Sequence, residues 1–194
     1  MNKEHDVLTP EVRFHLIRKM ERHKVIAMAG PRLLAHERKY LDFHSVSGVI
    51  LFPRNIESLS QVGDLIGSVA EELAREGMHP LIMADHEGDF VAELRQIIGV
   101  PPAPLAIAAT GDLGLPAEVA YETGTAMRKL GANVVLARVA DCYFEAGSAI
   151  TGLRTFGADP ERVAAFVEQT IAGFRSGGVL SCAKHFPGHG STAE

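Results

Sequence analysis

The chain has 194 residues, 46% of them hydrophobic and 22% charged, enough apolar material for a substantial core and a composition unlike that of a disordered chain. Its net charge is −5, with acids and bases mixed throughout, so there is no basic stripe to track a phosphate backbone and nucleic acid is not expected as a partner. No apolar run approaches membrane-spanning length, and the opening Met1-Asn2-Lys3-Glu4-His5-Asp6 lacks the apolar core of a signal peptide, so the expectation is a soluble, cytoplasmic protein without membrane contact.

Thr9-Pro10-Glu11 is a helix start, with Thr as N-cap and Pro at the first helical position, and Val12, Leu16 and Met20 fall on one face of a helix reaching about Arg22. Val25 to Ala29 is a compact apolar run closed by Gly30-Pro31 and reads as the first strand. Arg32 to Phe43 is polar and interrupted, with room for some helix. Gly48 to Phe52 is the second strand, ended by Pro53-Arg54-Asn55. Ser58-Leu59-Ser60-Gln61 matches a capping box, and Leu59, Val62, Ile66, Val69 and Leu73 then recur at helical spacing, predicting a helix that ends near Gly77.

Pro80 to Ala84 is the third strand and runs into Asp85-His86-Glu87-Gly88-Asp89. Pro101 to Pro104 forces an extended or turn segment. Pro116 opens a helix to about Leu130, with Gly131 as its C-cap. Asn133 to Ala140 is the fourth strand, ending in Asp141, and Gly147 to Gly157 reads as a loop. Asp159-Pro160 caps a further helix whose stripe is Val163, Phe166, Val167, Thr170, Ile171 and Phe174, ended by Gly177-Gly178. Val179 to Ala183 is the fifth strand.

Strands that alternate with helices, each a continuous apolar run, pair in parallel with both faces covered, so the class is α/β. Five strands fit an open doubly wound sheet on length, but Ala29-Gly30-Pro31-Arg32 after the first strand is no dinucleotide fingerprint. Neither a repeat nor a linker divides the chain. Asp85, Asp141 and Lys184-His185 each follow a strand, and sites in parallel α/β folds form at the carboxyl ends of strands. Cys142 and Cys182, the only cysteines, each end an apolar run and read as reduced thiols. No C-x-x-C or H-E-x-x-H spacing supports a metal, and Pro187 and Gly188 rule out a helix carrying both His185 and His189. No cofactor is expected.

The last stretch, Ser181 to Thr192, carries the most chemistry. Lys184-His185-Phe186-Pro187-Gly188-His189-Gly190 resembles the signature of family-3 glycoside hydrolases, nearest the bacterial β-N-acetylglucosaminidases. Other segments follow the family in order. Gly48 to Asn55 resembles its second-strand motif, Ala84 to Asp89 its D-Q-E-G-G segment, Arg138 to Asp141 its P-V-x-D, and Gly152 to Gly157 its G-x-R-S-F-G. The resemblance implies a TIM-type (β/α)8 barrel of which about the first five units are present, so that residues 1–194 form one barrel domain incomplete on its carboxyl-terminal side.

It also implies hydrolysis of a terminal β-linked N-acetylglucosamine, as in peptidoglycan recycling, by a retaining mechanism without a metal. A carboxylate then attacks the anomeric carbon and a second group protonates the leaving oxygen. In the family the donor is a His on the loop shortly after G-H-G, paired with an Asp, and the nucleophile is an Asp on a later strand. Both fall beyond Glu194, so no catalytic residue is assigned in this chain. By resemblance Asp85, Arg154, Lys184 and His185 hold the sugar, Asp141 borders the pocket and His189 shapes its loop. The partner expected is an amino-sugar glycoside or N-acetylglucosamine. An incomplete barrel also leaves apolar edges through which the chain could self-associate.

Each position has a plainer role open to it. Asp85 would cap the following turn, Asp141 would pair with Arg154 or Arg138, and Arg154 and Lys184 would be solvated, with His185 satisfied by a backbone carbonyl. Departures from the family pattern cluster near the site: Glu93 stands where G-G-x-V-x-R-L has its sugar-binding Arg, Asp89 replaces a glycine and Arg138 a proline. They imply altered specificity or a weakened site. The alternative function is a non-catalytic sugar-binding or regulatory relative. Behind it stands an unrelated α/β domain with an anion loop at Gly188 to Thr192, which lacks the Lys-Ser/Thr ending of a phosphate loop.

Overall fold

The computed structural model describes residues 9–74, 77, 79–144 and 150–191. Its elements in order are α1 (Pro10–Glu21), β1 (Val25–Ala27), α2 (Ala35–Phe43), β2 (Gly48–Leu51), α3 (Leu59–Ala74), β3 (Leu81–Ala84), β4 (His86–Gly88), β5 (Val91–Ala92), α4 (Arg95–Ile98), α5 (Pro104–Ala109), α6 (Leu115–Leu130), β6 (Val134–Val135), α7 (Pro160–Ser176) and β7 (Leu180–Ser181). Of the loop expected over 147–157, residues 147–149 lie outside the described residues, and Gly152–Arg154 forms a short 3-10 turn. Thr192 also lies outside them.

Helix starts follow the local chemistry. The Thr9 hydroxyl accepts from the Val12 N–H at 3.3 Å. Ser58 and Gln61 cap reciprocally: the Gln61 N–H donates to Ser58 Oγ at 3.2 Å and Gln61 Oε1 accepts from the N–H groups of Glu57 and Ser58. Asp159 accepts from the Glu161 and Arg162 N–H groups. Gly131 closes α6 in the left-handed region at φ 95°, where a side chain would be strained. Val12, Leu16 and Met20 of α1 do share a face, but all three stay at least 41% exposed.

Five strands form one parallel sheet in the order β1-β2-β3-β6-β7. Strands that add in chain order, all parallel and with no reversal, wind in the barrel sense; a doubly wound sheet would switch direction part-way. The fold is therefore part of a TIM-type barrel, with β1 and β7 as its open edges. Val49, Leu51, Ile82, Ala84 and Val135 are buried with Val62, Val69 and Leu73 of α3 and Met127 of α6 in the main core. Gly48 is required by close approach: a Cβ there would lie 1.9 Å from the Leu81 carbonyl oxygen on the neighbouring strand.

The first and fifth strands are shorter than expected, at Val25–Ala27 and Leu180–Ser181, and three other segments depart further from expectation. The fourth strand is two residues long rather than the full run from Asn133, because after Val135 the ladder lapses and resumes only at a bridge between Val139 and Lys184. The motif after β3 is not a turn but a small antiparallel hairpin, β4-β5, with His86 opposite Ala92. Pro104 opens α5 instead of prolonging the extended segment, since its fixed φ suits the first helical turn.

Candidate functional site

Asp85 follows β3 directly, Asp141 lies beyond β6, and Lys184 follows β7, so all three project from the carboxyl edge of the sheet. The bridge with Val139 fixes Lys184 beside the end of the β6 run: its N–H donates to the Arg138 carbonyl at 3.1 Å and its carbonyl accepts from the Ala140 N–H at 2.6 Å. From there the Lys184 ammonium forms an ion pair with the Asp85 carboxylate and another with Glu87 at 2.6 Å. Lys184 is thus not a solvated loop cation.

Glu87 is the centre of this arrangement. Its carboxylate is fully buried and takes a bidentate pair from Arg154, Nε to Oε2 at 2.6 Å and Nη2 to Oε1 at 2.9 Å. Burial pushes the Glu87 carboxyl up, but the hydrogen bonds from Arg154 and Lys184 outweigh it and hold the group below the usual carboxylate range. Arg154, expected either on the sugar or in solvent, is itself 9% exposed and also donates to the Ile150 carbonyl at 3.1 Å. Glu87 has no binding role in the family resemblance above. Its signal was the alternation of a strand, which puts Asp85 and Glu87 on one side, two residues apart.

Behind the hairpin sits Arg138, fully buried, donating to the Glu87 carbonyl and lying over the Phe156 ring at 5.6 Å. Neither it nor Arg154 pairs with Asp141. Burial draws the Arg138 pKa down to about 10. Next to it, His86 is buried with neither ring nitrogen hydrogen-bonded. Burial first, then the charges of Arg138 and Arg95, lower its pKa to about 4, so it is neutral near pH 7.

Asp141 organises the second half of the site. Its Oδ2 meets His185 Nδ1 at 2.7 Å and its Oδ1 accepts the His189 N–H at 2.5 Å. Burial raises the Asp141 carboxyl, and these bonds more than reverse that, so it stays charged. His185 is therefore oriented by a carboxylate, not by a backbone carbonyl, and its ring meets that of His189 edge-on with centroids 5.3 Å apart. Gly190 lets the loop close: a Cβ there would lie 2.2 Å from the Cys142 carbonyl oxygen. Asp141, Phe144, Lys184, His185, Phe186 and Gly190 line a cavity of about 490 Å³. The expected set is thus assembled: Asp85, Lys184 and Arg154 through Glu87, and His185 and His189 through Asp141. Among the described residues no group of three or more His, Cys, Asp or Glu side chains could hold a metal ion.

Residues 15–194 match the family model described as Glycosyl hydrolase family 3 N terminal domain. The chain belongs to glycosyl hydrolase family 3. It is similar to a beta-hexosaminidase of Shewanella frigidimarina, 36% identical over 172 residues that cover 86% of this chain and 49% of that protein. Family-3 structures share the fold. A β-N-acetylglucosaminidase of Paenibacillus superposes with a TM-score of 0.86 at 32% identity, covering 92% of this chain and 34% of that one. NagZ of Neisseria gonorrhoeae, solved with N-trifluoroacetyl-D-glucosamine, gives a TM-score of 0.75 at 26% identity, covering 86% of this chain and 50% of that one. The chain thus spans about half the length of the curated family-3 relative, at 49%, so the described sheet is the opening part of the family barrel.

Proposed function

We propose that this chain is the amino-terminal, sugar-holding part of a β-N-acetylhexosaminidase that removes a terminal β-linked N-acetylglucosamine with retention. The observation that carries the reading is the charged cluster at the carboxyl edge of the sheet, in which Asp85, Lys184, Glu87 and Arg154 are drawn together from three separate segments. Hydroxyl groups of a sugar need donors and acceptors that are already oriented, since an unmatched buried polar group costs free energy on both sides. Asp85 and Lys184 are held in that way by their own pairing while remaining partly accessible. His185, aimed by Asp141, lines together with Lys184 the cavity beside this cluster.

In this reading none of the residues of the chain attacks the anomeric carbon. Glu87 is locked in ion pairs and serves as a positioning residue, and the nucleophile and the proton donor belong to the polypeptide beyond residue 194, as the family resemblance implies. Peptidoglycan fragments in the cytoplasm are the substrate and setting we propose; among the described residues no helix is long and apolar enough to cross a membrane. The edges at β1 and β7, where Val25 and Leu180 are exposed, are the surfaces on which the barrel is completed.

The test is binding of methyl N-acetyl-β-D-glucosaminide by calorimetry, comparing the unaltered protein with Lys184→Ala. Losing one charge-assisted hydrogen bond should weaken binding roughly tenfold or more. Saturable binding that Lys184→Ala leaves intact would sink the assignment of this pocket.

A further inference from the structure

Both oxygens of Asp141 are taken by donors: Oδ1 accepts the His189 N–H at 2.5 Å and Oδ2 meets His185 Nδ1 at 2.7 Å. An ionised carboxylate can only accept hydrogen bonds, so the imidazole proton sits on Nδ1, and in a neutral ring Nε2 is then a bare acceptor. The Asp141 side chain is 2% exposed and that of His185 30% exposed. With Nδ1 spent on Asp141, Nε2 is the ring nitrogen left for a ligand. Lys184, the residue before it, lines the same cavity with the opposite character: an ammonium has three N–H donors and no acceptor, and the Asp85 and Glu87 carboxylates take two of them. The cavity thus presents a donor and an acceptor from consecutive residues.

We propose that Asp141 is a positioning residue that fixes His185 as its Nδ1–H tautomer, so that Lys184 and His185 together select a sugar ring with a free hydroxyl over one whose oxygen is substituted. A hydroxyl between them accepts from the ammonium and donates to Nε2. An ether oxygen or a fluorine at the same carbon can still accept from Lys184 but brings no proton for Nε2, and acceptor is left facing acceptor. The inference rests on the sugar-site reading above and adds the polarity of one of its contacts. The charge on Asp141 is what sets that polarity. In Asp141→Asn a single oxygen faces two donors. The His189 N–H is a fixed donor, whereas an imidazole can move its proton, so the oxygen stays with His189, the amide NH2 donates to Nδ1 and the ring proton goes to Nε2.

The experiment uses the complete polypeptide near neutral pH and has two readouts. Nitrogen NMR of histidine-labelled protein, with the His185 signals identified by their absence in His185→Ala, should find the proton on Nδ1 in the unaltered protein and on Nε2 in Asp141→Asn. Calorimetry then compares methyl N-acetyl-β-D-glucosaminide with its deoxyfluoro analogues, one for each hydroxyl of the ring. At least one analogue should bind the unaltered protein roughly tenfold more weakly than the parent sugar, and that deficit should close in Asp141→Asn. It should close equally in His185→Ala, which keeps the test open if Asp141→Asn fails to fold in a thermal scan. A merely structural Asp141 would instead weaken every sugar alike and leave the ring proton where it was. A proton on Nε2 in the unaltered protein, or the same pattern of deficits in the unaltered protein and in the folded variants, overturns this inference while the sugar site stands. If the parent sugar does not bind, the sugar site itself fails and the selectivity with it.

Discussion

Removing the Glu87 carboxylate should be the most damaging single change at the site. In Glu87→Leu the Arg154 guanidinium, with a side chain only 11% exposed, loses both of its ionic hydrogen bonds, and the Lys184 ammonium loses one of two carboxylate partners. Stranding one partner of a buried ion pair typically costs about 3–5 kcal/mol. Lys184 keeps Asp85, so most of the penalty falls on Arg154. The double variant Glu87→Leu, Arg154→Leu removes the stranded charge and should recover about half of the loss, roughly 2 kcal/mol, because apolar replacement of a whole pair is often neutral. Urea unfolding of the four proteins gives the coupling energy directly, with the slope m expected to stay constant. In a scan the single variant should melt roughly 10 °C lower. The sign with pH follows from the depressed Glu87 carboxyl: its stabilisation is present above the unfolded value of about 4.3 and is lost as pH falls through the lower folded value. A cost below about 1 kcal/mol for Glu87→Leu, or a coupling below about 0.5 kcal/mol, would refute the claim that this pair holds the site together.

Two further outcomes are expected. His86 stays neutral in the fold down to a pKa of about 4 against an ordinary 6.5, so stability should fall by about 2 kcal/mol between neutral pH and about pH 5 as the unfolded state takes up a proton that the fold refuses. His86→Gln should flatten that slope in urea midpoints taken at the two pH values, and an unchanged slope would show that His86 titrates freely. Gly190→Ala should push the loop away from the Cys142 carbonyl and break the His189 N–H contact with Asp141. Binding of N-acetylglucosaminide should drop roughly tenfold by calorimetry, and unaltered affinity would mean that the loop is not part of the pocket.

What was legible in the sequence was what short-range chemistry decides. The Thr9, Ser58-Gln61 and Asp159 caps lie within a few residues of the N–H groups they satisfy, and the apolar runs at Gly48 and Leu81 are strands because nothing in them can face water. Parallel pairing followed from runs that do not alternate, and the carboxyl edge as the place of chemistry followed from parallel pairing. What was not legible depended on distant partners. Arg138 reaches a carbonyl 51 residues away and Arg154 a carboxylate 67 residues away. In the sequence alone, Glu87 looked like part of a turn, since Gly88 and Asp89 follow it. Only the hairpin with Val91–Ala92, with both Gly88 and Asp89 at positive φ, makes it a strand residue buried on the side of Asp85.

The same geometry explains why one lysine can serve a site assembled from such separate segments. A parallel sheet aligns the ends of its strands, so Asp85 and Lys184, 99 residues apart, emerge at the same level, and the Val139–Lys184 bridge corrects for the shortness of β6. Once the ammonium is fixed there, Asp85 cannot rotate to cap its own turn and Glu87 cannot leave Arg154 without exposing two cations to an apolar interior. The cluster is therefore self-orienting before any ligand arrives. A preorganised array of this kind loses little entropy on taking up a sugar ring.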